Sequence, residues 1–191
     1  MFFEEGLTDL MIREAIQDAV RCLHAAGVDD ARQDAWILLA HVCRQNRATL
    51  LAKAHDHLDA DGLCSFQQMI TRRAAREPIA LIVGQKEFWS LEFQITSDVL
   101  CPRADSETLI QAALEQVEER GRQDRWPGQI LDLGTGSGCL LLALLSEFTS
   151  AHGVGVDGSR RALLLAQSNG CLLYTSPSPR DQRGSRMPSS A

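Results

Sequence analysis

The sequence predicts an α/β protein in which a helical N-terminal module is followed by a β-hairpin and then by a β-α-β-α segment with a parallel sheet. Three observations lead to that prediction. Apolar residues recur every three or four positions through the first 77 residues, which is the period of an amphipathic helix. The period shortens from Ile79 onwards, as it does in strands. Residues 129–169 then alternate two strand-like runs with two helical runs, and a glycine-rich turn follows the first strand.

The pattern of the first 77 residues predicts helices that pack around a small core. It places no side chain as a nucleophile or a base, so we expect no catalytic machinery there. A short apolar piece at residues 48–53 separates the second and last helices. Pro78 ends the last helix. The candidate N-caps are Thr8, Asp29 or Asp30, and Asp59 or Asp61. The positions expected to face inward are Ile12, Ile16, Val20, Leu23, Ala31, Ala35, Leu38, Leu39, Val42, Leu63, Phe66, Ile70 and Ala74. We interpret residues 1–77 as a helical module that serves packing or docking.

Residues 78–104 predict a β-hairpin linker. Residues 79–83 form a β-like apolar run that Gly84 ends. In residues 91–95, apolar and polar side chains alternate as they do in a half-buried strand. These two runs therefore predict a hairpin around residues 85–90.

The remainder up to residue 170 predicts the start of a parallel sheet. Asp105 or Ser106 caps a helix that extends to about Glu119, and a polar loop follows over 121–128. The order that comes next is strand 129–133, helix 139–145, strand 153–156 and helix 159–169. This β-α-β-α order is typical of doubly wound parallel sheets.

The turn after the first of these strands reads Gly134-Thr-Gly-Ser-Gly138. Glycines at a strand–helix junction let the backbone approach a ligand, and the N–H groups of the helix face that ligand. A dinucleotide-binding turn would have Gly or Ala at position 139, where this chain has Cys139. The spacing therefore argues against a nicotinamide oxidoreductase.

Acidic residues lie at both ends of this segment. Asp157 ends the second strand, where a carboxylate can accept both hydrogen bonds of a ribose diol. Its alternative role is to cap the next helix, for which Ser159 is also available. Asp132 lies beneath the turn and is expected to orient the loop or to contact an amino group of the ligand. Thr135 and Ser137 are interpreted as hydrogen-bonding residues of the loop rather than catalysts.

Composition excludes several functional classes. A net charge of −6 argues against a nucleic-acid grip based on bulk charge. There is no run of 18 apolar residues, and the acidic N-terminus lacks the basic region of a signal peptide, so we expect a cytoplasmic protein that spans no membrane. The six cysteines show no C-x-x-C spacing, and we expect reduced thiols and no metal site.

Composition changes sharply after Gly170. Residues 171–191 hold three of the six prolines and the only tyrosine, and they show neither a helical nor a strand period. Their order resembles translated sequencing-adapter DNA, so we expect a non-native tail beginning at residue 171. A disordered Ser/Pro tail is the alternative. With only two strands before it, we expect the leucines at 140–145 and 163–165 to lack most of their packing partners.

Several segments together resemble one family. The pattern Asp132-x-Gly134-x-Gly136-x-Gly138 resembles motif I of class I (Rossmann-like) S-adenosylmethionine-dependent methyltransferases. Upstream, Arg-Glu-Pro-Ile-Ala at 76–80, Glu-Phe-Trp-Ser-Leu at 87–91 and Cys-Pro-Arg-Ala-Asp-Ser-Glu at 101–107 resemble the linker of the HemK/PrmC family. That family consists of protein-(glutamine-N5) methyltransferases that act on peptide chain release factors. Its usual linker resembles Ile-Pro-Arg-Pro-Asp-Thr-Glu, from which Cys101, Ala104 and Ser106 depart.

The resemblance implies domains at 1–77, 78–104 and 105–170, a monomer, S-adenosyl-L-methionine as the cofactor and a release factor as the protein partner. It carries a role in the cofactor pocket over to Arg103, whose alternative role is a surface ion pair. The implied cofactor-binding residues are Arg103, Asp132, Gly134, Thr135, Gly136, Ser137, Gly138 and Asp157. The family's catalytic Asn-Pro-Pro-Tyr segment is absent, because the chain contains no Pro-Pro pair. We therefore expect this chain to lack methyl transfer. The alternatives are a ribosomal-protein glutamine methyltransferase and a non-catalytic module that binds a translation factor.

Overall fold

The computed structural model describes residues 10–119 and 128–175. The chain divides into two compact units, Met1–Val83 and Gly84–Ala191, which are described separately below. Within the described residues, no helix is both long enough and apolar enough to cross a bilayer. The predicted cap Thr8, most of the predicted polar loop and the tail beyond residue 175 lie outside the described residues.

The first unit is helical, as its sequence period predicts. Its apolar positions cluster into one core, in which Leu23, Leu38, Leu39 and Ile70 have no exposed surface. From residue 10 onwards its helices are α1 (Ile12–Ala25), α2 (Ala31–Cys43), α3 (Arg47–Ala52), α4 (Ala60–Ala74) and α5 (Ile79–Val83).

The helix starts follow from short polar side chains. Asp59 precedes α4, and its Oδ1 accepts a hydrogen bond from the Gly62 N–H at 2.6 Å, which confirms Asp59 as the cap. Asn46 caps α3 in the same way through the Thr49 N–H at 2.8 Å. Asp30 precedes α2 as predicted, but its side chain makes no capping hydrogen bond.

One ion pair in the first unit is largely buried. Arg73 Nε on α4 donates to Asp34 Oδ2 on α2 at 2.7 Å, and the two side chains are 20% and 10% exposed. The same guanidinium donates to the Glu77 carbonyl at 3.1 Å. These contacts fix α4 against α2 and hold the chain that leaves α4.

The predicted strand at 79–83 is wrong, because this segment is the helix α5. The Pro78 carbonyl accepts the N–H groups of Leu81 and Ile82 at 3.0 and 3.1 Å and so closes a helical turn. Proline is tolerated at the start of a helix, and Gly84, with φ of 76°, lies just past its end. A five-residue apolar run has no distinctive period, so the burial of Ile82 in the helical core decides the outcome.

The second unit begins with an antiparallel hairpin of β1 (Gln85–Phe88) and β2 (Leu91–Gln94). The predicted strand around 91–95 is confirmed, with Phe93 and Ile95 buried. Its partner is β1 rather than the predicted run at 79–83. A two-residue turn joins the strands, and both of its residues, Trp89 and Ser90, have positive φ.

The predicted order of helices and strands follows the hairpin. A 3-10 helix (Ala104–Ser106) leads into α6 (Glu107–Glu119), β3 (Gln129–Leu133), α7 (Cys139–Glu147), β4 (His152–Val156) and α8 (Arg160–Thr175). The strands β3 and β4 pair in parallel, with Leu131 opposite Val154. The predicted α/β class is therefore confirmed. However, α8 continues past Gly170 to Thr175, so the predicted loss of helical character at residue 171 is wrong.

The two faces of the β3–β4 sheet differ in burial. Gly153 lets one face approach α7, since a Cβ there would lie 2.7 Å from Leu141 and 2.8 Å from Leu145. The opposite face is bare: Leu131, Leu133, Val154 and Val156 are 62%, 74%, 59% and 46% exposed. We call these four residues the bare face.

The predicted loss of packing partners is correct only in part. Leu141, Leu142 and Leu165 are buried, whereas Leu164 is 57% exposed. The apolar surface without partners therefore lies mainly on the sheet rather than on α7.

Candidate functional site

The glycine turn between β3 and α7 is built from left-handed backbone. Gly134, Gly136 and Gly138 have φ of 80°, 56° and 80°, a region that side-chain-bearing residues adopt at a cost. A Cβ on Gly138 would also lie 3.2 Å from both Ala166 and Leu142. Around Gly134 and Gly136 there is open space, so only the backbone conformation demands glycine there.

The turn is fastened to the end of β4. The Val156 carbonyl accepts the N–H groups of Gly134 and Thr135 at 2.7 and 3.0 Å. The Thr135 side chain lies over β4, where a Cβ on Gly155 would meet its Oγ1 at 2.9 Å. The sequence analysis missed Gly155, which leaves room for the Thr135 side chain. In the sheet, Gly155 lies opposite Asp132.

Asp157 contacts the turn directly. Its Oδ2 accepts the Gly136 N–H at 2.9 Å, and its Oδ1 accepts the Ser159 N–H at 2.8 Å. These backbone donors, Ser159 first and then Gly136, lower the pKa of the Asp157 carboxyl below its ordinary value. The carboxylate is therefore ionised at neutral pH. Ser159 Oγ in turn accepts the Ala162 N–H at 3.3 Å, so it caps α8 as the sequence suggests.

Three polar atoms beside the turn are buried without a hydrogen-bond partner among the described residues. They are Asp132 Oδ2, Thr135 Oγ1 and Ser137 Oγ. Buried polar atoms are seldom left unpaired, so these three are candidates to bind a ligand. Ser137 is buried as well, and its neighbour Cys139 has a thiol whose pKa is raised by burial.

Arg103, the remaining predicted cofactor-binding residue, makes none of the hydrogen bonds that hold the glycine turn. It lies in the loop before the 3-10 helix, and its exposed guanidinium makes no hydrogen bond or ion pair with the described residues. The structure therefore brings together Asp132, the three glycines, Thr135, Ser137 and Asp157. The role of Arg103 stays a prediction.

The hairpin tip contacts two glutamates that sequence reasoning missed. The Trp89 backbone N–H donates to Glu107 Oε1 at 3.0 Å, and the Trp89 indole Nε1 donates to Glu147 Oε1 at 2.7 Å. Lys86 Nζ donates to the Pro102 carbonyl. These contacts fix the hairpin to the elements that carry the turn. In residues 10–119 and 128–175, no group of three His, Cys, Asp or Glu side chains could hold a metal ion.

The comparisons with known proteins agree with this organisation. The profile of the PrmC N-terminal domain matches residues 14–84. The release factor glutamine methyltransferase of Cereibacter sphaeroides is 39% identical over 160 residues, which cover 84% of this chain and 54% of that protein. Those of Aliivibrio fischeri and Moorella thermoacetica are 36% and 38% identical over 160 residues, covering 84% of this chain and 54% and 55% of theirs.

These matches show first that the chain is a relative of methyltransferases. Residues 14–84 match the PrmC N-terminal domain, and most of the chain is similar to the release factor glutamine methyltransferases, so the family resemblance seen in the sequence is confirmed. The chain spans about half the length of the curated relatives it matches.

Proposed function

We propose that the chain forms the substrate-docking and cofactor-binding part of an S-adenosylmethionine-dependent enzyme that methylates the N5 amide of a glutamine in peptide chain release factors. Residues 1–77 dock the release factor, 78–104 form the hairpin linker, and the sheet begun by β3 and β4 is of the class I, Rossmann-like type. The enzyme of which this chain forms part acts in the cytoplasm as a monomer.

The observation that carries the proposal is the left-handed glycine turn with Asp157 bonded to its centre. The residues present suit S-adenosyl-L-methionine. Asp157 uses one lone pair on each oxygen for the backbone, which leaves acceptor capacity for a ribose diol. Asp132 Oδ2 is free to accept an amino group, and Thr135 Oγ1 is free to donate or accept. Arg103 is assigned to the same pocket from the family resemblance alone.

The bound cofactor supplies an electrophilic methyl group, and the chain's own residues bind and orient it. Transfer to an amide nitrogen is a displacement by a weak nucleophile, which depends chiefly on positioning. By resemblance, the positioning of the glutamine belongs to an Asn-Pro-Pro-Tyr segment, and no Pro-Pro pair occurs in this sequence. For the residues of this chain we therefore propose the binding and orientation of the cofactor.

Calorimetric titration of the 191-residue chain with S-adenosylhomocysteine tests the proposal. We expect saturable binding, no binding of NAD, and loss of binding in Asp157→Ala. Absence of S-adenosylhomocysteine binding by a folded chain would refute the cofactor assignment.

The separate helical unit, with a core of its own, supports one alternative, a docking module without cofactor. Capture of a purified release factor by a chain that binds no S-adenosylhomocysteine would favour that alternative.

A further inference from the structure

The one polar side chain without exposed surface in the described residues is Asn169, two and a half turns into α8. Burying an amide is unfavourable unless its donors and acceptor are all paired. Asn169 meets that requirement. Its Oδ1 accepts the Gln94 N–H at 2.8 Å, and its Nδ2 donates to the Gln94 carbonyl at 3.1 Å and to the Ser137 carbonyl at 2.9 Å.

These partners fix the orientation of the amide. Oδ1 faces a donor, whereas Nδ2 faces two acceptors, so a flipped amide would mismatch all three contacts. On one side Asn169 pairs with both backbone groups of Gln94, as a neighbouring strand would. On the other side it holds a carbonyl of the glycine turn. No other residue type carries one acceptor and two donors at this length.

The neighbouring contacts place α8 firmly on the turn. Ala166, one turn before Asn169, lies where a Cβ on Gly138 would meet it at 3.2 Å. Gln94 is additionally held by its side chain, because Ser168 Oγ donates to Gln94 Oε1 at 3.1 Å. The Ser168 hydroxyl thus contacts the hairpin but not the glycine turn. Ser168 is therefore a matched control for Asn169, which contacts both.

We propose that Asn169 is a positioning residue that couples the β1–β2 hairpin to the glycine turn and so sets the conformation in which the turn binds the cofactor. This inference rests on the proposed function for the identity of the ligand. The coupling itself does not depend on the identity of the ligand, because all three hydrogen bonds join groups of the protein.

The test compares the full chain with Asn169→Asp, which keeps the shape and the acceptor but loses both donors, and with Ser168→Ala. We expect Asn169→Asp to weaken S-adenosylhomocysteine binding about tenfold, because the Ser137 carbonyl loses its buried partner. Ser168→Ala should bind like the parent. Because a buried carboxylate can unfold the chain, Asn169→Ser, which removes the amide without adding charge, replaces Asn169→Asp if circular dichroism shows loss of structure.

Amide hydrogen exchange separates positioning from a merely structural role. In the parent chain, saturation with S-adenosylhomocysteine should slow exchange at the Gln94 N–H, since coupling between two sites is reciprocal. In a folded Asn169 variant this response should disappear. A variant that binds as tightly as the parent, or a parent whose Gln94 exchange ignores the ligand, would overturn the inference.

The two proposals fail in different ways. If the parent chain binds no S-adenosylhomocysteine, the cofactor assignment is refuted, and the coupling is then judged in the unliganded state. There, the Asn169 variant should accelerate exchange at Gln94 and also at Gly136 and Gly138 in the turn. Acceleration at Gln94 alone would show that the amide seats the hairpin without positioning the turn.

Discussion

The Asp157 carboxylate accepts the Gly136 N–H at 2.9 Å, across 21 residues of sequence. It therefore anchors the middle of the glycine turn while its other oxygen holds the start of α8. One side chain thus holds both the turn and Ser159, the residue that caps α8, and remains placed to serve a ligand.

This contact predicts a pH dependence. The folded-state pKa of Asp157 is lowered by the backbone donors, so the unfolded state binds the proton more readily. The stabilisation is fully present above the unfolded pKa of about 4 and is lost as pH falls through the lower folded value. This loss of stabilisation is measured by urea unfolding of the parent and of Asp157→Asn between pH 2 and 6. The two stabilities should converge at the acidic end, and parallel profiles would contradict the prediction.

The glycine turn predicts a graded response to alanine. Gly136→Ala should lower the free energy of unfolding by about 1 kcal/mol, because alanine disfavours the left-handed backbone there. Gly138→Ala should cost about 2–3 kcal/mol, since the new Cβ also crowds Ala166 and Leu142. Gly158→Ala is the control, with nothing within 4 Å, and should change stability by less than about 0.5 kcal/mol. Equal losses at 136 and 138 would exclude the packing contribution.

The hairpin turn predicts opposite effects at one position. Ser90 is exposed and has φ of 58°. Ser90→Gly should raise the free energy of unfolding by about 0.5–1 kcal/mol, because glycine removes the left-handed penalty. Ser90→Val should lower it by about 1 kcal/mol, because a β-branched residue fits this conformation worst. Thermal melts of both variants test the pair, and equal melting temperatures would contradict it.

The buried ion pair predicts an asymmetric cost. Arg73→Ala should lower the free energy of unfolding by about 2–4 kcal/mol, since it leaves the Asp34 carboxylate largely buried without its cation. The control is Arg21→Ala, which breaks the exposed Arg21–Asp18 pair and should cost less than about 0.5 kcal/mol. Denaturant unfolding followed by circular dichroism compares them. Similar losses in both variants would show that burial does not decide the cost.

The bare face predicts self-association. Leu133→Thr combined with Val154→Thr should lower the sedimentation-detected oligomer fraction and the binding of a hydrophobic dye, with little change in melting temperature. Threonine is polar and β-branched, and strands favour β-branched residues. Leu141→Thr, at a buried position on α7, should instead lower the melting temperature. Unchanged dye binding in the double variant would contradict the prediction.

The sequence predicts the elements whose period is unambiguous. The strand Gln129–Leu133 and the cap Asp59 are found where expected, because an apolar run before a glycine turn and an Asp before a helix each have one local solution. The segment Ile79–Val83 was mispredicted because five apolar residues suit either a strand or a buried helix. Its outcome depends on the core formed by residues distant in sequence.

In the candidate site, too, the features set by local sequence were predictable and those set by distant residues were not. The turn and Asp157 follow from local spacing, and the structure brings them into contact. Asn169 and the contact between Trp89 and Glu147 could not be predicted, because each joins residues more than 50 positions apart. A single asparagine or glutamate on a helix carries no local signal of such a partner.

The separation between Gln94 and Asn169 also has a kinetic consequence. The two ends of this contact are 75 positions apart in sequence, whereas Asp34 and Arg73 of the helical unit are 39 apart. Closing a longer loop costs more chain entropy, and contacts distant in sequence slow folding. During synthesis from the N-terminus, the helical unit can therefore complete its core while the hairpin still lacks its contact with α8.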